Sequence, residues 1–115
     1  MRLTFVQVSR FVAKWQSLKL TDADLAALES SLMDKPDVGP VTSGTGGVRK
    51  VRFAPPSRHM GKSGAFRVAY AFFHAGDTVY LLAIFGKNER DNFTAAQKAE
   101  LKTLMEVLRG RHRAS

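Results

Sequence analysis

The sequence predicts an α+β fold: an antiparallel sheet, built from a three-stranded meander plus an N-terminal strand, with helices packed on one face. Three observations carry that reading. Residues 48–53, 66–73 and 78–85 show the two-residue period or the unbroken apolar run of strands, whereas 11–18, 21–35 and 94–108 place apolar side chains at helical spacing. The chain has 115 residues, 44% of them hydrophobic and 24% charged, which fits one domain, 1–115, with basic residues 109–115 expected as a flexible tail. Cysteine is absent, which excludes a disulfide scaffold, a thiol nucleophile and any cysteine-ligated zinc or iron–sulfur centre. No stretch reaches the ~18 apolar residues of a membrane helix. The N-terminus also lacks the apolar run of a signal peptide, so no membrane role and a cytoplasmic location are expected.

The elements follow in order. Residues 3–8 set Leu3 and Phe5 among Thr4 and Gln7 and fit a first strand. Phe11, Trp15 and Leu18 then share one face of a short helix. Thr21 with Asp24 three places on is a capping signature, so a second helix starts there; Leu25, Leu28 and Leu32 form its apolar stripe, and Pro36 ends it. Residues 36–47, with two prolines and four glycines, read as an extended loop. From Val48 the period becomes two: Val51 and Phe53 share one face, Lys50 and Arg52 the other. Pro55-Pro56 closes that strand, and residues 57–64 read as a flexible basic loop. Phe66, Val68, Tyr70 and Phe72 then line one side of the next strand, with Arg67 among small residues on the other. Ala75-Gly76-Asp77 supplies a turn before the apolar run 78–85, read as a central buried strand. Thr94 and Gln97 cap a last helix whose apolar face holds Leu101, Leu104, Met105 and Leu108.

Charge is distributed unevenly. The net charge is +8, yet residues 1–48 hold five cations and five carboxylates, so the excess lies beyond them. Arg49, Lys50, Arg52, Arg58, Lys62 and Arg67 follow one another with no carboxylate between, a density that attracts polyanions. Other chemistries lack their residues. His59, His74 and His112 have no second histidine at helical spacing, and no serine sits in an elbow motif. Gly44-Thr45-Gly46-Gly47 leads into a strand rather than a helix, so it reads as a structural turn and not a phosphate loop. No cofactor and no metal are expected. What remains is a set of cations on or beside the meander: Lys50, Arg52 and Arg67, with Lys87 and Arg90 after the last strand. Such a set suits binding a phosphodiester and stabilising the added charge of its transition state. RNA brings its own nucleophile, the 2′-hydroxyl, so a base, an acid and cationic clamps suffice.

The runs 44–53 (Gly-Thr-Gly-Gly-Val-Arg-Lys-Val-Arg-Phe), 61–70 (Gly-Lys-Ser-Gly-Ala-Phe-Arg-Val-Ala-Tyr) and 85–89 (Phe-Gly-Lys-Asn-Glu), with Thr94, Gln97 and Lys98, resemble the RelE/HigB group of bacterial toxins over about residues 3–108. The resemblance implies a RelE-like, microbial-ribonuclease type of fold and cleavage of messenger RNA in the ribosomal A site. It implies three partners: the ribosome, its mRNA and a cognate antitoxin of the helix-turn-helix, HigA-like kind, with DNA reached only through the antitoxin complex. Carried onto this chain, it makes Lys50, Arg52, Arg67 and Lys87 the catalytic set, with Arg49, Lys62 and Arg90 as RNA-binding residues. Several relatives have lysine at the place of Arg52 and a tyrosine near Phe93 and Thr94, so a tyrosine role in catalysis or base stacking is missing here, and their paired glycine is Gly64-Ala65. Arginine is too basic to accept a proton, which leaves Lys50, crowded by Arg49, Arg52 and Arg67, as the candidate general base. Two other classes share these features in part: a ParE-type toxin of DNA gyrase, and a non-catalytic RNA-binding domain.

Overall fold

A computed structural model describes residues 2–58, 65–86 and 92–113. Its elements run β1 (Thr4–Gln7), α1 (Ser9–Ser17), α2 (Asp22–Asp34), β2 (Arg49–Phe53), a 3-10 turn (Pro56–Arg58), β3 (Phe66–Phe73), β4 (Thr78–Phe85) and α3 (Ala95–Arg111). Both expected capping boxes form, at Thr21 with Asp24 and at Thr94 with Gln97. Among the described residues no helix is long and apolar enough to cross a membrane.

The four strands lie in the order β1-β4-β3-β2. Strands β2, β3 and β4 form the expected antiparallel meander, but β1 pairs with β4 in parallel, so the sheet is mixed rather than purely antiparallel. The reason is connectivity. Between β1 and β4 the chain builds two helices and two strands, a crossover that lets β1 return alongside β4 in the same direction. In β4, Leu82 is an extra residue between the pairs Tyr70–Leu81 and Ala69–Ala83; this bulge lets Val79, Leu81 and Ile84 share one face.

The helices do not share a face, contrary to the sequence-based expectation. On one side, Phe11 and Trp15 of α1 and Leu28 and Leu32 of α2 pack on Phe53, Phe66, Val68, Tyr70, Val79 and Leu81. On the other, Leu101, Met105 and Leu108 of α3 pack on Val48, Ala69, Ala71, Tyr80 and Leu82. A central strand apolar on both sides must be covered on both, and the small Ala69 and Ala71 leave room for α3 to come close.

The expected tail is also partly ordered. Helix α3 continues to Arg111, and His112 is held beyond it, with Nε2 2.8 Å from the Tyr80 hydroxyl and Nδ1 2.9 Å from the Ala75 carbonyl. Its ring stacks on Phe73 at 4.7 Å. These contacts tie the end of α3 to the β3–β4 turn, while its start lies at the far end of β4, where Phe93 meets Phe85.

Candidate functional site

The strand register determines which cations meet. Arg52 lies directly across from Arg67, and Lys50 across from Ala69, so Lys50, Arg52 and Arg67 project from one face, the face that α3 covers further along. They line an open groove of about 710 Å³ together with Val38, Gly39, Pro40 and Asn92. No carboxylate is among the described residues lining it. Arg67 is 5% exposed at the groove floor, and its Nη1 donates to the Ala65 carbonyl at 2.6 Å. Lys50 Nζ donates to Asn92 Oδ1 at 3.2 Å, which aims the amine across the groove. Two like charges directly opposite on neighbouring strands repel each other, so this end of the β2–β3 pair carries a concentrated positive charge.

The groove wall is fastened from the other side of the sheet. The Tyr70 hydroxyl donates to the Pro36 carbonyl at 2.8 Å and accepts the Gly39 N–H at 3.0 Å. Burial raises the Tyr70 pKa, which keeps the phenol protonated and donating. A Cβ on Gly39 would sit 2.7 Å from the Lys50 carbonyl oxygen, so only glycine allows this close passage over β2. Residues 40–42 then pair with the outer edge of β2 through Lys50 N–H to Pro40 O (3.2 Å) and Thr42 N–H to Val48 O (2.8 Å). The Gly-Thr-Gly-Gly run is the structural turn that the sequence suggested. The buried Thr45 hydroxyl donates to Thr42 O and accepts from Val48 N–H, and the Arg109 guanidinium of α3 reaches the Gly46 carbonyl.

Of the residues expected from the sequence, Lys50, Arg52 and Arg67 are brought together. Arg49 is not among them. It shares the opposite face with Val51 and Phe53, and its Nη1 donates to the carbonyls of Asp37 (3.1 Å) and Gly39 (2.8 Å), so it braces the groove wall and does not crowd Lys50. Lys62, Lys87 and Arg90 lie outside the described residues. The sequence reading missed Asn92, which belongs to no motif, and the hydroxyl role of Tyr70, which looks like a plain core residue from its period. It also had the signal to place Arg49 correctly, because alternation puts 49 opposite 50 and 52. The hydroxyls of both tyrosines are engaged with Pro36, Gly39 and His112. Among the described residues no cluster of three His, Asp or Glu side chains could hold a metal ion.

No protein-family model matches the chain. Among solved structures, a double arginine-to-alanine mutant of the E. coli toxin RelE in the free state matches with a TM-score of 0.54 and 16% identity, over 90% of this chain and 97% of that one. The chain has a RelE-type fold. The likeness extends over nearly the whole RelE chain.

Proposed function

We propose that the protein is the toxin of a toxin–antitoxin module and acts as a ribosome-dependent mRNA endoribonuclease. The observation that carries this reading is Arg52 opposite Arg67 with Lys50 on the same face, a cationic groove on a RelE-type fold. In the reaction, Lys50 takes the proton of a 2′-hydroxyl and the 2′-oxygen attacks the adjacent phosphorus. The bond from phosphorus to the 5′-oxygen then breaks, leaving a 2′,3′-cyclic phosphate, and the departing 5′-oxygen takes a proton from water. Arg52 and Arg67 bind the non-bridging oxygens, whose charge grows in the transition state; such preorganised donors are the largest lever in many reactions of this kind. Lys87 completes the catalytic set, and Lys62 and Arg90 add phosphate contacts. An antitoxin of the helix-turn-helix kind is the partner in the cytoplasm, and it alone brings the complex to DNA.

The test is expression followed by RNA analysis. Growth arrest with rapid loss of translated message, and cleavage in vitro only when ribosomes are present, is the expected result. Arrest with intact message and accumulating DNA breaks would transfer the protein to the gyrase-poisoning class.

A further inference from the structure

Asn92 stands on the segment that leads into α3 and lines the cationic groove, with its Oδ1 3.2 Å from the Lys50 amine. We propose that Asn92 is the positioning residue of the general base: an uncharged acceptor that holds the Lys50 amine in line for a 2′-hydroxyl. This rests on the RNA-cleaving reading, in which Lys50 takes that proton, and deepens it.

Three observations support the role. The first is chemical. Lysine offers hydrogens, and of the two ends of an asparagine side chain only Oδ1 accepts them, so the contact fixes which way the amide points. A neutral amine goes on donating through its hydrogens while its lone pair takes a proton, so an acceptor that fixes one hydrogen also limits where the lone pair points. The charge of that acceptor matters as much as its place. A carboxylate at this distance favours the ammonium form, which has no lone pair; the amide oxygen gives the same geometry without net charge. The second observation is the surroundings. Among the described residues, the charged side chains that line the groove with Lys50 are Arg52 of β2 and Arg67 of β3, and residues 38–40 bring only Val38, Gly39 and Pro40, none of which titrates. An acidic residue at 92 would therefore add a negative charge to a wall whose described residues carry none. The third is how the segment is held. Two residues on, Thr94 and Gln97 close the capping box of α3 at 3.0 and 3.1 Å, and Phe93 packs edge to face on Phe85 of β4. Asn92 is itself exposed, but its backbone is fixed from the α3 side. The register adds room, because Ala69 and Ala83 lie across from Lys50 on β3 and β4 and neither raises more than a methyl group beside the lysine. A contact that only tied α3 to β2 would use the same two atoms, and pH separates the two roles.

The experiment is single-turnover cleavage of ribosome-bound message by the full-length protein in excess, over a pH series, for the wild type, Asn92→Asp and Asn92→Leu. With Lys50 as base, the wild-type rate rises with pH until the amine is mostly neutral. Asn92→Asp, almost unchanged in size, puts a carboxylate beside the amine. Its rising limb is expected to lie about one pH unit higher, so that the rate is about tenfold lower at neutral pH and recovers as pH rises. Asn92→Leu has a similar size and no acceptor. It is expected to be about tenfold slower or more at every pH, the scale of loss for a misplaced reacting group, with no upward movement of the limb. A purely structural contact would lower the rate of a variant without moving its limb. Asn92→Asp with the limb unmoved, or Asn92→Leu at the wild-type rate, overturns the role of Asn92 and leaves the nuclease reading standing. Wild-type protein that cuts no message overturns both. Lys50→Ala at the wild-type rate removes Lys50 as base and the role of Asn92 with it.

Discussion

Arg67 keeps a guanidinium almost out of water and faces a second arginine across the strand pair. If Arg52 and Arg67 hold the phosphodiester, removing one preorganised donor costs about 10² or more in rate. Lys50→Ala and Arg67→Ala are therefore each expected to lower ribosome-dependent cleavage by at least about a hundredfold. Lys98→Ala, on α3, should change it little, with circular dichroism confirming that all three fold. At this scale the sequence is informative where alternation decides, because the two-residue period of β2 and β3 puts Lys50, Arg52 and Arg67 on one face. It was silent on Asn92, whose contact with Lys50 spans 42 positions and follows no spacing rule. Long-range contacts of loop residues leave no periodic trace.

Individual elements are secured by their ends. Asp24 closes the capping box of α2 with Thr21 and also accepts the Ser57 hydroxyl (2.6 Å) and amide (3.1 Å), which ties the 3-10 turn to the helix. Burial works against its charge, but the hydrogen bonds from Ser57 and Thr21 outweigh it and bring its pKa from 3.8 to about 2. As pH falls, the unfolded chain takes up this proton before the folded one. The stabilisation is complete above about pH 5 and is lost on descending towards pH 2. Denaturant titrations at pH 5 and pH 2.5 are expected to show that loss, and Asp24→Ala, costing about 2–3 kcal/mol at neutral pH, should flatten it. The end of α1 offers the opposite case. Lys19 takes a left-handed backbone (φ 57°) as the chain turns from α1 with Leu20 N–H returning to the Trp15 carbonyl. Glycine carries no Cβ penalty there, so Lys19→Gly is expected to raise stability by about 1 kcal/mol, read as a higher denaturant midpoint. Strands β3 and β4 were legible to the residue because a clear turn separates two runs of strand period. The side of the sheet chosen by α3 was not, since amphipathicity tells a helix to bury a face but not against which surface. Nor was the parallel pairing of β1, which depends on the path of everything between.

For the whole molecule, the +8 charge acts on folding and binding with opposite signs. Self-repulsion among cations weakens the folded state and is screened by salt, so the melting temperature is expected to rise as salt is added from low concentration. Binding to ribosomes should weaken over the same range, linearly in a log–log plot with a slope set by the number of phosphates neutralised. An antitoxin that also buries apolar surface should lose far less affinity, and equal slopes for both partners would mean that it works mainly as an electrostatic mimic of RNA. The parallel pairing of Thr4–Gln7 with Thr78–Leu81 has a consequence in time. A strand made early must wait for one made late, and until then β4, apolar on both sides, presents an open edge. Unpaired apolar edges are where chains associate with one another. Weakening β1, for example by Val6→Pro, is therefore expected to appear less as a lower melting point than as loss of soluble protein, seen as aggregate by light scattering during refolding.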